Sequence, residues 1–132
     1  MMSEEPERAA RREALEERLL EYAAACIRIA ELLPASYAGR HVCGQLIRSG
    51  TAPIAQHGEA QSAESTEDFV HKMAVALKEL RESERWLRLI VRVPLLKETA
   101  QVTTSILESD ELQRIFFASI QTARQRPKHR PS

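Results

Sequence analysis

The chain has 132 residues, enough for one domain with a core of its own. Nineteen basic and nineteen acidic residues cancel, so bulk charge does not draw the protein to nucleic acid. No apolar run approaches the ~18 residues of a membrane span. The charged stretch Met1 to Arg12 has no hydrophobic signal core, so a cytoplasmic protein with no membrane partner is expected.

Hydrophobic residues make up 43%, aromatic residues only 5%, and there are four glycines. A chain this rich in Ala, Leu, Glu and Arg reads as all-α. Cys26 and Cys43 form no CxxC pair and are expected as reduced thiols in helical surroundings.

The first helix is expected from about Glu7 to Leu33. Leu15, Leu19, Tyr22, Cys26, Ile29 and Leu33 recur at spacings of three and four, and Pro34 stops the pattern. The second is expected from about Ala38 to Ala63, with Val42, Leu46, Gly50, Pro53, Ile54 and His57 on one side. Pro53 removes a backbone hydrogen bond there, and Gly50 and Gly58 invite close approach by a neighbour. Ser65 followed by Glu67 and Asp68 is an N-cap signal for a third helix, from about Glu67 to Val93.

The third helix carries two apolar stripes. Phe69, Met73, Ala76, Leu80, Leu87 and Val91 form one. Val75, Trp86, Leu89 and Val93 form a second, roughly 150° away. A helix on the outside of a monomeric bundle needs one such stripe, so the second points to an interface between subunits. Lys78, Arg81, Arg85, Arg88 and Arg92 fill the arc between. A fourth helix is expected from about Val102 to Arg124, with Ser109-Asp110-Glu111 as a place where it could restart. Residues 1–12 read as a frayed charged extension, 13–124 as the bundle and 125–132 as a basic disordered tail. Short links between four amphipathic helices predict an antiparallel up-down-up-down four-helix bundle.

Catalytic chemistry finds no footing. Bundle metal sites need Glu-x-x-His pairs, and none occurs; Asp68-x-x-His71 is the nearest, at a helix start. There is no phosphate-cradling Gly loop and no nucleophile triad. No catalytic residue, metal ligand or cofactor is therefore expected. Arg48, Glu59, Glu79 and Glu82 are the polar residues expected to form a partly buried network, with Arg48 meeting Glu79 or Glu82 across two helices. A nucleic-acid-binding surface, if there is one, is expected on Lys78, Arg81, Arg85, Arg88 and Arg92, or on Arg124, Arg126, Lys128 and Arg130 of the tail. Neither stretch carries base-stacking aromatics, which argues against sequence-specific recognition.

Several strings resemble a known family. They are Leu32-Leu33-Pro34, Gln45-Leu46-Ile47-Arg48-Ser49-Gly50, Gly58-Glu59-Ala60-Gln61-Ser62-Ala63-Glu64-Ser65 and the stretch from Asp68 to Ser83. Trp86-Leu87, Glu108 to Arg114 and Ser119 to Ala123 extend the likeness. Together they resemble the 23S rRNA-intervening-sequence proteins, a family that includes the accessory variability determinant of diversity-generating retroelements. The resemblance implies a four-helix bundle that assembles into a homopentameric ring. For the retroelement branch it also implies binding to nucleic acid and to a reverse transcriptase. The chain departs from that branch in its zero net charge, and from the family in having Gln56-His57 where Asn-Tyr is common. A non-enzymatic oligomeric accessory or scaffold protein is the expected function; the alternative is a structural homo-oligomer with a protein partner and no nucleic acid.

Overall fold

The computed structural model describes residues 4–126. Four helices, α1 (Glu4–Leu32), α2 (Tyr37–Gln61), α3 (Thr66–Arg92) and α4 (Ala100–Gln125), make up an antiparallel bundle, and no strand occurs among the described residues. α1 begins at Glu4, so residues 4–12, expected as a frayed extension, are helical. Pro6 is tolerated because the first turn has no amide partner to lose, and Glu, Ala and Arg favour helix. From Glu5 to Ala14 every side chain except Ala9 is exposed. Of the expected tail, Gln125 ends α4 and Arg126 caps it; Lys128 and Arg130 lie outside the described residues.

The links are set by local chemistry. Ser36 caps α2 by accepting the Gly39 amide at 3.0 Å, and Ser65 caps α3 by accepting the Asp68 amide at 3.0 Å. Lys72 donates to both carboxylate oxygens of Asp68 and holds that acid below its ordinary range. α2 continues through Pro53, and α4 continues unbroken through Ser109-Asp110-Glu111.

α2–α3 and α3–α4 are the broadest pairings, α1–α2 is next, and α1–α4 is the slightest of the four. The core lies between them, with Leu19, Tyr22, Ile29, Leu46, Met73, Leu80, Leu87, Ile90, Leu112 and Phe116 buried. On α3 the core face is rotated slightly from the sequence expectation: Leu77 and Ile90 are buried, Phe69 is half-buried and Val91 is exposed. α1 crosses α2 closely at Gly50, where a Cβ would stand 2.7 Å from both Cβ and Sγ of Cys26. Gly58 faces open space, so of Gly50 and Gly58 only Gly50 serves the approach of a neighbouring helix.

A chain of hydroxyls threads this core. The Tyr22 hydroxyl lies 2.6 Å from Ser83 Oγ, Ser83 donates to the Leu80 carbonyl at 2.9 Å, and Ser109 donates to the same carbonyl at 3.1 Å. No buried side-chain nitrogen or oxygen among the described residues lacks a partner. Burial raises the Tyr22 phenol well above its ordinary range and pushes the Cys26 thiol up to about 12. Because the thiolate is the reactive form, alkylation of native protein at pH 8 should modify Cys43, which is half-buried, and spare Cys26 until the chain unfolds. Mass spectrometry after trypsin would check it; equal labelling of both thiols would mean α1 opens freely.

Candidate functional site

On the α2–α3 face, Arg48 joins Glu79 and Glu82. Its guanidinium donates to Glu79 at 3.2 Å, to Glu82, and to the Gln45 amide oxygen at 3.2 Å. The Trp86 indole donates to Glu82 at 3.0 Å, and the His41 ring meets Trp86 edge-on at 5.8 Å. Helical spacing explains the cluster: Glu79, Glu82 and Trp86 are three and four apart on α3, as are Gln45 and Arg48 on α2. Arg48 is half exposed, so each ion pair contributes little to stability, about 0–1 kcal/mol, and the cluster does more to set helix alignment. Glu59 does not belong to it. That residue is exposed on α2 with no side-chain hydrogen bond or ion pair to the described residues.

The cationic stripe on α3 is exposed at all five positions, Lys78, Arg81, Arg85, Arg88 and Arg92. Only Arg88 is paired among the described residues, to Glu84 at 2.8 Å. Glu84 also accepts from the Gln113 amide at 2.6 Å, which ties it to α4 and fixes one wall of a shallow groove of about 320 Å³. Arg81, Arg85 and Arg88 line that groove. Arg124 is exposed in the last turn of α4 and Arg126 follows at its C-cap, at the far end of the bundle from Arg92.

The second apolar stripe divides in two. Trp86 packs against the edge of the core, and Val75 is half-buried. Leu89 is 40% exposed and Val93 55% exposed, so the half of the stripe nearest Pro94 has no cover within one chain. Leu107 and Phe117 of α4 are likewise open. Among the described residues no three His, Cys, Asp or Glu side chains converge as metal ligands, and no helix is long and apolar enough to cross a membrane.

The structure resembles a crystal structure of a protein of unknown function from the S23 ribosomal protein family of Bacteroides thetaiotaomicron. The match has a TM-score of 0.75 and 28% identity, over 83% of this chain and 97% of that one. The chain is thus similar in fold, and at 28% identity in sequence, to a protein of that family. No family model matches the sequence, and no curated protein does. That neighbour supports the four-helix bundle.

Two features were invisible in the sequence. His57 sits on the apolar side of α2 by periodicity, yet it is a hub: Nδ1 lies 3.1 Å from Glu16 of α1, Nε2 lies 3.2 Å from the Gln61 amide nitrogen, and the ring meets Phe116 of α4 at 5.9 Å. A ring with its proton on Nδ1 satisfies both contacts, donating to the carboxylate and accepting from the amide. Arg18 of α1 donates through two nitrogens to Glu108 of α4, a forked pair spanning the slightest seam and raising the Arg18 pKa further. His57–Gln61 is an i,i+4 pair that sequence could offer; Glu16 and Glu108 need the tertiary arrangement.

Proposed function

We propose that the protein is a non-enzymatic, ring-forming accessory or scaffold protein that holds a polyanion, RNA or DNA, along α3. The observation that supports this is the stripe Lys78, Arg81, Arg85, Arg88 and Arg92, exposed throughout and opposed by one acid, Glu84, beside the uncovered Leu89 and Val93. The fifteen residues from Lys78 to Arg92 carry those cations over about 21 Å, long enough to follow several phosphates. In this reading Leu89 and Val93, with Val75 and Trp86 behind them, form the contact between copies, and the homopentamer implied by the family resemblance multiplies the stripe around a ring. The partner class is a nucleic-acid enzyme, a reverse transcriptase by the same resemblance.

The test is light scattering of the purified protein with an RNA–DNA hybrid at two salt concentrations. A protein that uses five phosphate contacts should lose on the order of 10²–10³ in affinity between 50 and 200 mM salt. Arg85→Glu with Arg88→Glu should abolish low-salt binding while leaving the oligomer mass unchanged. Binding that ignores both salt and the charge reversals would end the polyanion reading. The zero net charge favours a second reading, a structural homo-oligomer with a protein partner, and an oligomer indifferent to the hybrid would establish it. A monomer would remove the interface role of Leu89 and Val93.

A further inference from the structure

α1 and α4 share the slightest seam of the bundle, and a cleft of about 740 Å³ lined by both lies at the end that holds the α2–α3 turn. Its volume falls in the range of small-molecule sites, about 300–1,000 Å³. The floor is apolar, from Leu15 of α1, Phe69 and Met73 of α3 and Ile115 of α4. His57 closes it, but both its ring nitrogens are already engaged, by Glu16 and Gln61. Leu15, Phe69 and Ile115 therefore offer an occupant carbon surface, beside the Gln61, Ser65 and Thr66 side chains.

The rim has the opposite character. Five arginines line the cleft, Arg8, Arg11, Arg12 and Arg18 from α1 and Arg126 from the α4 C-cap, against one lining acid, Glu64. In a chain of zero net charge this is a local excess of one sign. Arg18 is held by Glu108 and Arg11 stands 4.0 Å from Glu7, whereas Arg12 and Arg126 have no ion-pair partner among the described residues. Arg12 comes from α1 and Arg126 from the C-cap of α4, whose Ser119 and Thr122 also line the cleft. Guanidinium forks at the edge of an apolar floor suit a carboxylate or phosphate carried on a hydrocarbon body.

We infer that this cleft is a binding site for a free, single-chain amphipathic anion, its hydrocarbon on Leu15, Phe69, Met73 and Ile115 and its acid group between Arg12 and Arg126. The site is separate from the α3 stripe and uses none of its residues.

Isothermal titration of the full chain with dodecanoate, kept below its micelle concentration, tests it. One molecule per chain should bind, and uncharged dodecanol should bind at least about tenfold more weakly, the loss of one charge-assisted contact. Arg12→Gln with Arg126→Gln should weaken dodecanoate by a similar factor; both positions are exposed, so circular dichroism should match the parent. Ser119→Trp, which fills the cleft from the α4 wall, should abolish binding. Four results would overturn the proposal: no binding of dodecanoate, equal binding of the alcohol, equal binding by the arginine variants, or binding only to phosphatidylglycerol vesicles. None of these variants touches the stripe from Lys78 to Arg92, so failure here leaves the reading of that stripe standing.

Discussion

Phe116→Ala should cost about 3–5 kcal/mol of folding stability, the range for emptying a fully enclosed aromatic site. Phe116 has no exposed surface and packs its ring against His57, which itself links α1 to α2 through Glu16. The bundle cannot collapse into the vacancy without moving a ring pinned at two nitrogens. For a domain of this size the loss corresponds to a melting temperature lower by roughly 10–20 °C. The neighbouring residue supplies the control. Phe117 is 50% exposed, so Phe117→Ala should change stability by about 0.5 kcal/mol or less. Urea unfolding of the two variants side by side decides it; equal losses would mean that Phe117 is covered in the assembled protein as completely as its neighbour is within the chain.

Gly50→Ala should destabilise the protein by about 1–3 kcal/mol, although alanine is the better helix former by about 1 kcal/mol. The added carbon would stand 2.7 Å from Cβ and Sγ of Cys26, and Cβ cannot swing aside without moving α1. Gly58→Ala, on the same helix with nothing within 4 Å, should stabilise by about 0.5–1 kcal/mol. The opposite signs separate steric crossing from intrinsic propensity. Adding Cys26→Gly to Gly50→Ala should recover part of the loss, since the small residue is moved from one helix to the other at the same crossing. A stabilising Gly50→Ala would show that α1 and α2 sit farther apart than described.

Helix ends were legible because single residues decide them. Pro34 and Pro94 forbid continuation, and Ser36 and Ser65 offer side-chain oxygens to the first free amides. The core face of α3 was legible to within one residue: a 3.6-residue period does not separate Ile90 from Val91 when both are β-branched and adjacent, and Ile90 is the one buried. The meeting of Arg48 with Glu79 and Glu82 followed from outward stripes on consecutive antiparallel helices. Glu59 shares that stripe but sits about three turns farther along, near the start of α3, where Lys72 is already held by Asp68. The N-terminal segment misled because charge without apolar spacing looks unstructured, while its Glu, Ala and Arg content sustains helix from Glu4. His57–Glu16 depends on the seating of α1 on α2; Arg18–Glu108 and the cleft beyond it depend on how α1, the first helix, sits against α4, the last. Those helices are separated by the whole chain, and periodicity within either says nothing about the gap between them.

Tyr22, Ser83 and Ser109 give the bundle a means of proofreading its own alignment. Leucines are nearly interchangeable to a packed interior, so sliding α1 along α3 by one turn would trade one apolar contact for another of similar worth. The phenol has no such substitute. A displacement of about 5.4 Å carries its oxygen past Ser83 and strands a buried hydroxyl, at about 1–3 kcal/mol. Ser83 and Ser109 both depend on the Leu80 carbonyl, so an error in α4 is felt in the same place as an error in α1. The penalty falls on the misaligned states and spares the native one, which keeps its contacts at 2.6 to 3.1 Å. Three hydroxyls thereby convert a degenerate set of greasy arrangements into a single outcome, and every surface built on α3 inherits its position from them.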